Sequence, residues 1–289
     1  MEQNNPRIAF HPIVRHSATG IRSQNDALAV EEPLEISVGT TADNSAPVSV
    51  TMRTPGHDAD LALGFLFTEG ILRDLRHVAN HGPVEKDCDR DTSNRYSVIF
   101  KSRHAPDLER LKRYFYTSSS CGICGKASIE AIRTVSDRQI GTMSDWSVDV
   151  LMELPARLRQ LQGTFLETGG LHAAALVGAD GKLTVVREDV GRHNAVDKIA
   201  GAILVETGID ASASLLLLSG RASFELVQKA TMCGIPAIAS IGAPSTLAVD
   251  LARENDMILV GFLSNSRLNV YSGAERITES SIRSFSVVR

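Results

Sequence analysis

The sequence predicts an α/β protein, because its C-terminal half alternates short β-prone runs with segments of helical periodicity. The clearest signals are the apolar run 215–218, which is four leucines, and the turn Asp180-Gly181 between two β-prone runs. We predict strands at 171–177, 183–186, 215–218, 236–241 and 257–263, and helices at 194–206, 224–233 and 246–254. This alternation favours a largely parallel sheet that is covered by helices.

The N-terminal half predicts a smaller α+β domain. Leu61, Phe65 and Leu72 fall at helical spacing, so we expect a helix over 58–72. Residues up to about Arg22 show little periodicity and are expected to form a mobile arm or an irregular strand. Further predicted elements are strands at 33–38, 48–52 and 96–100 and a helix at 148–161. We expect the N-terminal domain to cover 1–145 and the C-terminal domain to cover 146–289.

Composition narrows the classes of function. The chain has 289 residues, of which 43% are hydrophobic and 22% are charged, so it can bury a substantial core. Its formal net charge is −4 and it has no long basic run, which argues against nonspecific nucleic-acid binding. No apolar stretch approaches the ~20 residues of a membrane span, and no secretory signal is visible. We therefore expect a cytoplasmic protein.

Two cysteines, Cys121 and Cys124, lie three positions apart and are followed by glycines at 122 and 125. This CxxC pattern indicates reactive sulfur chemistry. A redox pair normally opens a helix after an early strand, whereas this motif is in mid-chain. A structural zinc site needs two more ligands at suitable spacing, and Cys88 and Cys233 are isolated.

Two further interpretations of the CxxC are a zinc deaminase and a sulfur carrier. A deaminase needs His-x-Glu, but Ala174 follows His172 at the glutamate position and no Pro-Cys-x-x-Cys comes after it. A sulfur carrier needs an accessible cysteine that can hold a persulfide, and a neighbouring thiol can help to release the sulfur. The spacing alone does not decide between the carrier and the redox pair.

Three polar loops, 219–223, 242–246 and 262–267, follow predicted strands. In open α/β sheets, ligands bind outside the carboxyl ends of the strands. Arg221 and Arg267 can contact phosphate, so we predict an anionic, nucleotide-like ligand. The alternative is that these are ordinary turn and helix-cap residues.

Several motifs in one order resemble the formate dehydrogenase accessory sulfurtransferases, the FdhD family, from about residue 33 to residue 271. They are 63–66 (LGFL) with Glu69-Gly70, 121–125 (CGICG), 168–175 (TGGLHAAA), 188–198 (EDVGRHNAVDK), 220–229 (GRASFELVQK), 232–234 (MCG), 246–249 (TLAV) and 259–262 (LVGF) with Arg267.

The resemblance implies a sulfurtransferase that takes sulfur from a cysteine desulfurase. This sulfurtransferase passes the sulfur to the molybdenum (or tungsten) bis-molybdopterin guanine dinucleotide cofactor of apo formate dehydrogenase. The dehydrogenase needs the transferred sulfur for activity. The resemblance also implies a homodimer whose C-terminal domain has three layers, is similar in fold to cytidine deaminases and binds the guanine nucleotide portion of the cofactor. No structural metal is expected, because Cys88 and Cys233 are isolated and no second CxxC exists.

The family motifs assign roles to individual residues. Cys121 matches the cysteine that bears the persulfide, and Cys124 matches its partner. The cofactor-binding loop corresponds to Phe262, Leu263, Ser264, Asn265, Ser266 and Arg267. Arg221 and Ser223 follow a predicted strand and are also expected to contact phosphate or guanine. For Asp189, Arg192, His193 and Asp197 the choice between a functional role and simple capping or pairing of a helix stays open. A pure cofactor chaperone and a dithiol oxidoreductase also remain alternatives.

Overall fold

The structure is a computed structural model that describes residues 5–84, 94–107 and 145–279. Within these ranges the chain forms fourteen strands and six α-helices, so the predicted α/β class is confirmed. The helices are α1 (Asp58–Thr68), α2 (Val148–Leu161), α3 (Gly163–Thr168), α4 (Arg192–Val205), α5 (Phe224–Cys233) and α6 (Thr246–Glu254). Predicted helices 148–161, 224–233 and 246–254 are confirmed to the residue.

The strands are grouped into four sheets. They are β1 (Ile8–Ser17), β2 (Gly20–Ala29), β3 (Glu32–Gly39), β4 (Ser45–Arg53), β5 (Val78–Pro83), β6 (Arg95–Phe100), β7 (Trp146–Ser147), β8 (His172–Val177), β9 (Leu183–Asp189), β10 (Leu215–Leu218), β11 (Ala237–Ser240), β12 (Ile258–Gly261), β13 (Asn269–Ser272) and β14 (Ile277–Thr278).

Contacts divide the described chain into two units that do not follow chain order. The first contains 5–84, 94–107, 162–173 and 187–205, and the second contains 145–161, 174–186 and 206–279. Residues 162–173 and 187–205 therefore group with the N-terminal half. The expected change of domain near residue 145 stays a prediction, as does the deaminase-like, three-layer arrangement of the C-terminal domain.

The first unit is built on a four-stranded sheet of order β4-β3-β6-β5. One face of this sheet packs with α1 in a core that contains Ile36, Val98 and Phe100 from the strands and Leu61 and Leu66 from the helix. The helix α1 lies directly against α4. Glycines stand where the two helices approach most closely, at Gly64 and Gly201.

The expectation of an irregular N-terminal arm is wrong. Strands β1 and β2 form a regular antiparallel hairpin in which every residue from Ile8 to Ser17 has a partner. Most of its side chains are exposed on both faces, so the hairpin lacks the alternation of buried and exposed residues by which strands are recognised in sequence.

The second unit contains a six-stranded sheet of order β13-β12-β11-β10-β8-β9. Only the central pairs β10–β11 and β11–β12 are parallel, whereas β8 and β13 pair antiparallel with β10 and β12. The prediction of a largely parallel sheet is therefore wrong away from the centre. Helices α5 and α6 connect the parallel strands, and parallel neighbours need such crossovers. None of the helices in the described part of the chain is long and apolar enough to cross a membrane.

Candidate functional site

Three loops at the carboxyl ends of the parallel strands are joined through their backbones. The loops follow β10, β11 and β12, as predicted. The N–H of Gly242 donates to the carbonyl of Gly220 at 2.9 Å, and the N–H of Ser245 donates to that of Ala222 at 3.0 Å. On the other side, the N–H of Phe262 donates to the carbonyl of Gly242 at 3.0 Å. The structure thus brings the predicted loop residues together at one edge of the sheet.

Glycine is required where these loops touch. A β-carbon on Gly242 would lie 2.9 Å from the backbone nitrogen of Arg221, and one on Gly261 would lie 2.7 Å from Cδ of Pro244. Side-chain carbons do not approach other atoms this closely without displacement of the backbone. The two glycines therefore fix the spacing of the three loops.

The helices α5 and α6 both begin at this edge, and a serine precedes each of them. Ser245 accepts a hydrogen bond from the N–H of Ala248 at 3.2 Å, as an N-cap residue normally does. Ser223 makes no such bond, and its Oγ is buried without a partner in the described structure. An unsatisfied buried hydroxyl costs about 1–3 kcal/mol, and helix N-termini favour anions. The Ser223 hydroxyl is therefore suited to a polar group of a ligand.

Phe262 has an unusual backbone and an exposed ring. Its φ angle is 50°, in the left-handed region that bulky residues rarely adopt. Its side chain is 38% exposed, and the guanidinium carbon of Arg267 lies 5.9 Å from the ring centroid. Backbone strain of this kind is typical of functional sites, and a base can stack on an exposed aromatic ring.

The remaining residues of the predicted cofactor loop differ in burial and in their hydrogen bonds. Leu263 is buried, and its N–H donates to Ser240 at 3.1 Å, so it anchors the loop in the core. Ser264 closes a turn, because its N–H donates to the carbonyl of Arg267 at 2.9 Å. Asn265, Ser266 and Arg221 are exposed. Cys121 and Cys124 lie outside the described residues.

A second polar cluster, within the first unit, surrounds a buried ion pair. Nζ of Lys198 lies 2.7 Å from Oδ2 of Asp189, and both side chains are at most 1% exposed. Lys198 also donates to the carbonyl of Thr54 at 3.0 Å. Asp189 accepts from the N–H of Gly191 at 2.8 Å and from the amide of Asn194 at 3.0 Å. Burial lowers the pKa of Lys198, and the negative charge of Asp189 opposes that shift.

For Asp189 and Asp197, whose roles the sequence left open, these contacts favour simple capping or pairing. Asp189 accepts from the N–H of Gly191, directly before α4, and neutralises Lys198. Asp197 accepts a hydrogen bond from Thr68 at 2.7 Å. Arg192 differs, since its Nε is buried and lacks a hydrogen-bond partner among the described residues. Burial lowers the pKa of His172, and the charge of Arg192 lowers it further, so the neutral imidazole is favoured at neutral pH.

Comparison with known proteins shows to which family the chain belongs. The sequence model of the FdhD/NarQ family matches residues 29–278. The sulfur carrier protein FdhD of Streptomyces coelicolor is 48% identical over 274 residues, which cover 92% of this chain and 94% of that protein. The sulfur carrier protein FdhD of Mycobacterium tuberculosis is 48% identical over 275 residues, 93% of this chain and 98% of that protein. The chain belongs to the FdhD/NarQ family.

Membership of the FdhD/NarQ family confirms the resemblance that the sequence motifs indicated. The likeness extends to an archaeal relative, the sulfur carrier protein FdhD of Thermoplasma volcanium, at 41% identity over 266 residues. Among solved structures, a formate dehydrogenase accessory protein from Desulfotalea psychrophila matches with a TM-score of 0.69. It covers 94% of this chain and all of that chain at 23% identity, so this match supports the fold of the FdhD/NarQ chain.

Proposed function

We propose that this protein is a sulfur carrier that serves formate dehydrogenase and acts as a sulfurtransferase through a persulfide on Cys121. The observation that carries the proposal is the 48% identity, over more than nine-tenths of the chain, to proteins named sulfur carrier protein FdhD. The CxxC motif supplies two thiols for this chemistry. A cysteine desulfurase is the proposed donor, and apo formate dehydrogenase is the proposed client.

Sulfur loading is a thiol exchange. The Cys121 thiolate attacks the terminal sulfur of a persulfide on the donor, the sulfur–sulfur bond of the donor breaks, and the donor cysteine leaves as a thiolate. Release as sulfide needs two electrons. We propose that Cys124 supplies them, because attack of its thiolate on Sγ of Cys121 expels sulfide and leaves a Cys121–Cys124 disulfide. A cellular dithiol reductant then restores both thiols.

The three strand-exit loops are the proposed binding site for the cargo, the bis-molybdopterin guanine dinucleotide cofactor of molybdenum or tungsten. The exposed ring of Phe262 offers a stacking surface for guanine. The partnerless hydroxyl of Ser223 and the start of α5 suit a phosphate oxygen. Arg221 and Arg267 are exposed cations at the same edge and can add charge-assisted contacts.

Sulfur loading can be tested by intact-protein mass spectrometry. The wild-type chain is incubated with a cysteine desulfurase and cysteine, and Cys121→Ala and Cys124→Ala are treated in parallel. We expect wild type and Cys124→Ala to gain sulfur that reductant removes, and Cys121→Ala to gain none. Because Cys124 expels the sulfur as sulfide, wild type should lose its sulfur on further incubation without reductant, whereas Cys124→Ala should retain it.

If neither wild type nor Cys124→Ala gains sulfur from an active desulfurase, the result would instead favour a pure cofactor chaperone. A Cys121–Cys124 disulfide that cycles with a redox partner, with no sulfane sulfur bound even to Cys124→Ala, would favour a dithiol oxidoreductase. Either result contradicts the sulfur carrier.

Nucleotide binding can be measured by calorimetry with guanosine 5′-diphosphate as the probe. Loss of base stacking costs about 1–3 kcal/mol, so Phe262→Ala should raise Kd by about 5- to 150-fold. The control is Leu161→Ala, which removes another exposed apolar side chain in the same unit and should leave Kd unchanged. Equal affinities for Phe262→Ala and wild type would remove this ring from the site.

A further inference from the structure

Ser240 is a polar residue at the end of an apolar strand. All residues of β11 (Ala237–Ser240) are buried, and those before Ser240 are apolar. Ser240 carries a hydroxyl although it is 0% exposed. A buried hydroxyl is costly unless it forms hydrogen bonds. The groups to which this hydroxyl bonds are therefore the reason that a serine fits at this position.

The hydroxyl of Ser240 connects two of the strand-exit loops. Its Oγ lies 3.0 Å from the carbonyl oxygen of Gly242 and 3.2 Å from that of Val260. Because a hydroxyl has one hydrogen, the two carbonyl oxygens share it. Gly242 lies in the loop that follows β11, and Val260 lies in β12, two residues before Phe262. One side chain thus joins the loop after β11 to the strand that leads into the loop of Phe262.

The carbonyl of Gly242 accepts a second hydrogen bond, and its donor belongs to Phe262. The N–H of Phe262 donates to this carbonyl at 3.0 Å. The next N–H along the chain, that of Leu263, donates to the backbone carbonyl of Ser240 at 3.1 Å. Two consecutive amide groups are therefore held, the first through the side chain of Ser240 by way of Gly242 and the second through its backbone.

These hydrogen bonds hold Phe262 in a conformation that it would otherwise avoid. Its φ angle of 50° lies in the left-handed region, where the β-carbon crowds the carbonyl oxygen that follows it. Such a residue persists only where its surroundings constrain its backbone. The bonds made by the N–H groups of Phe262 and Leu263 supply that constraint. A carbonyl of Gly242 that lost the Ser240 hydroxyl would hold Phe262 less firmly.

We propose that Ser240 is a positioning residue of the strand-exit site. Its hydroxyl orients the carbonyl of Gly242, this carbonyl holds the backbone of Phe262, and the ring of Phe262 is thereby presented to a guanine base. Ser240 acts through Phe262 and does not touch the ligand, because it has no exposed surface. The inference rests on the proposed nucleotide site for the identity of the ligand, whereas the orientation of the ring is a property of the free protein.

The first test is calorimetry with guanosine 5′-diphosphate as the probe. Ser240→Ala removes the hydroxyl and keeps every backbone group. We expect it to raise Kd by about tenfold, which corresponds to about one molecule in ten that holds Phe262 ready to stack. The affinity is compared with the stability of the same variant, measured by urea unfolding.

The matched control is Ser214→Ala. Ser214 is also buried in the second unit, and its Oγ donates to the carbonyl of Asp210 at 2.6 Å. It directly precedes β10, at the end of that strand opposite to the loop 219–223. Each variant loses one buried hydroxyl, so we expect both to lose stability. Only Ser240→Ala should lose affinity for the nucleotide.

The second test observes the ring without a ligand. Phe262 is replaced by p-fluorophenylalanine, which gives one fluorine NMR signal from this position. We expect Ser240→Ala to shift or split the signal, because the ring then takes more than one orientation. Ser214→Ala should leave the signal unchanged.

An unchanged fluorine signal in Ser240→Ala would overturn the proposal, and so would equal changes in Kd for Ser240→Ala and Ser214→Ala. A wild-type chain that does not bind guanosine 5′-diphosphate would contradict the proposed nucleotide site instead. In that case the fluorine signal alone decides whether Ser240 positions the ring of Phe262.

Discussion

Gly64→Ala is expected to destabilise the protein by about 4 kcal/mol or more, because the added methyl group has no space. A β-carbon at this position would lie 2.6 Å from the backbone nitrogen of Gly201 and closer still to the carbonyl oxygen of Asp197. Both obstacles are backbone atoms of α4, so no side-chain rotation relieves the overlap. Urea unfolding followed by circular dichroism measures the loss.

The matched control is Gly163→Ala. Gly163 also lies in a helix, α3, but a β-carbon there has no atom within 4 Å. Alanine at such a position lowers the entropy of the unfolded chain and is neutral or stabilising by up to about 1 kcal/mol. Similar unfolding free energies for the two variants would show that α1 and α4 do not touch at Gly64. Gly201→Ala should behave like Gly64→Ala, since its β-carbon would meet the backbone of Asp60.

The contact between α1 and α4 shows where sequence reasoning reaches its limit. The periodicity of Leu61 and Phe65 was sufficient to predict a helix at the position of α1. Gly64, by contrast, is a poor helix former, and its role depends on a helix more than 120 positions further along the chain. Local periodicity carries no information about such a contact.

The strand-exit site could be predicted for a physical reason. Strands β10, β11 and β12 are parallel, so their carboxyl ends meet at one edge whatever the details of the fold. The two properties that make the site chemically useful were not visible in the sequence. They are the left-handed backbone of Phe262 and the partnerless hydroxyl of Ser223, which both arise from the way the loops pack.

The polar residues of the 188–198 motif resemble those of a catalytic site in sequence. In the structure, most of their contacts stabilise the fold. Glu188 accepts from the N–H groups of Thr164 and Phe165 at 3.1 and 2.8 Å and so caps α3. Asp189 accepts from the N–H of Gly191, directly before α4, and pairs with Lys198. Lysine is almost never buried without a partner, so the internal position of Lys198 could not be inferred from residue type.

Lys198→Met is expected to lower the free energy of unfolding by about 3–5 kcal/mol, because it leaves the carboxylate of Asp189 buried without a cation. Methionine fills a similar volume, so the loss reports the charge and the hydrogen bonds to Thr54 and Glu188 rather than a cavity. The measurement is urea unfolding at neutral pH. The control, Lys182→Met, removes an ion pair with Asp180 that is exposed on both sides. Water and salt screen such a pair, so this variant should unfold close to wild type.

The double variant Lys198→Met with Asp189→Asn tests the cause of the loss. Asparagine is neutral but keeps a carbonyl oxygen that can still accept from the N–H of Gly191. If the uncompensated charge is responsible, the double variant should be more stable than Lys198→Met alone. If the double variant is less stable than Lys198→Met, or if Lys198→Met and Lys182→Met lose the same amount, the buried charge is not what the lysine balances.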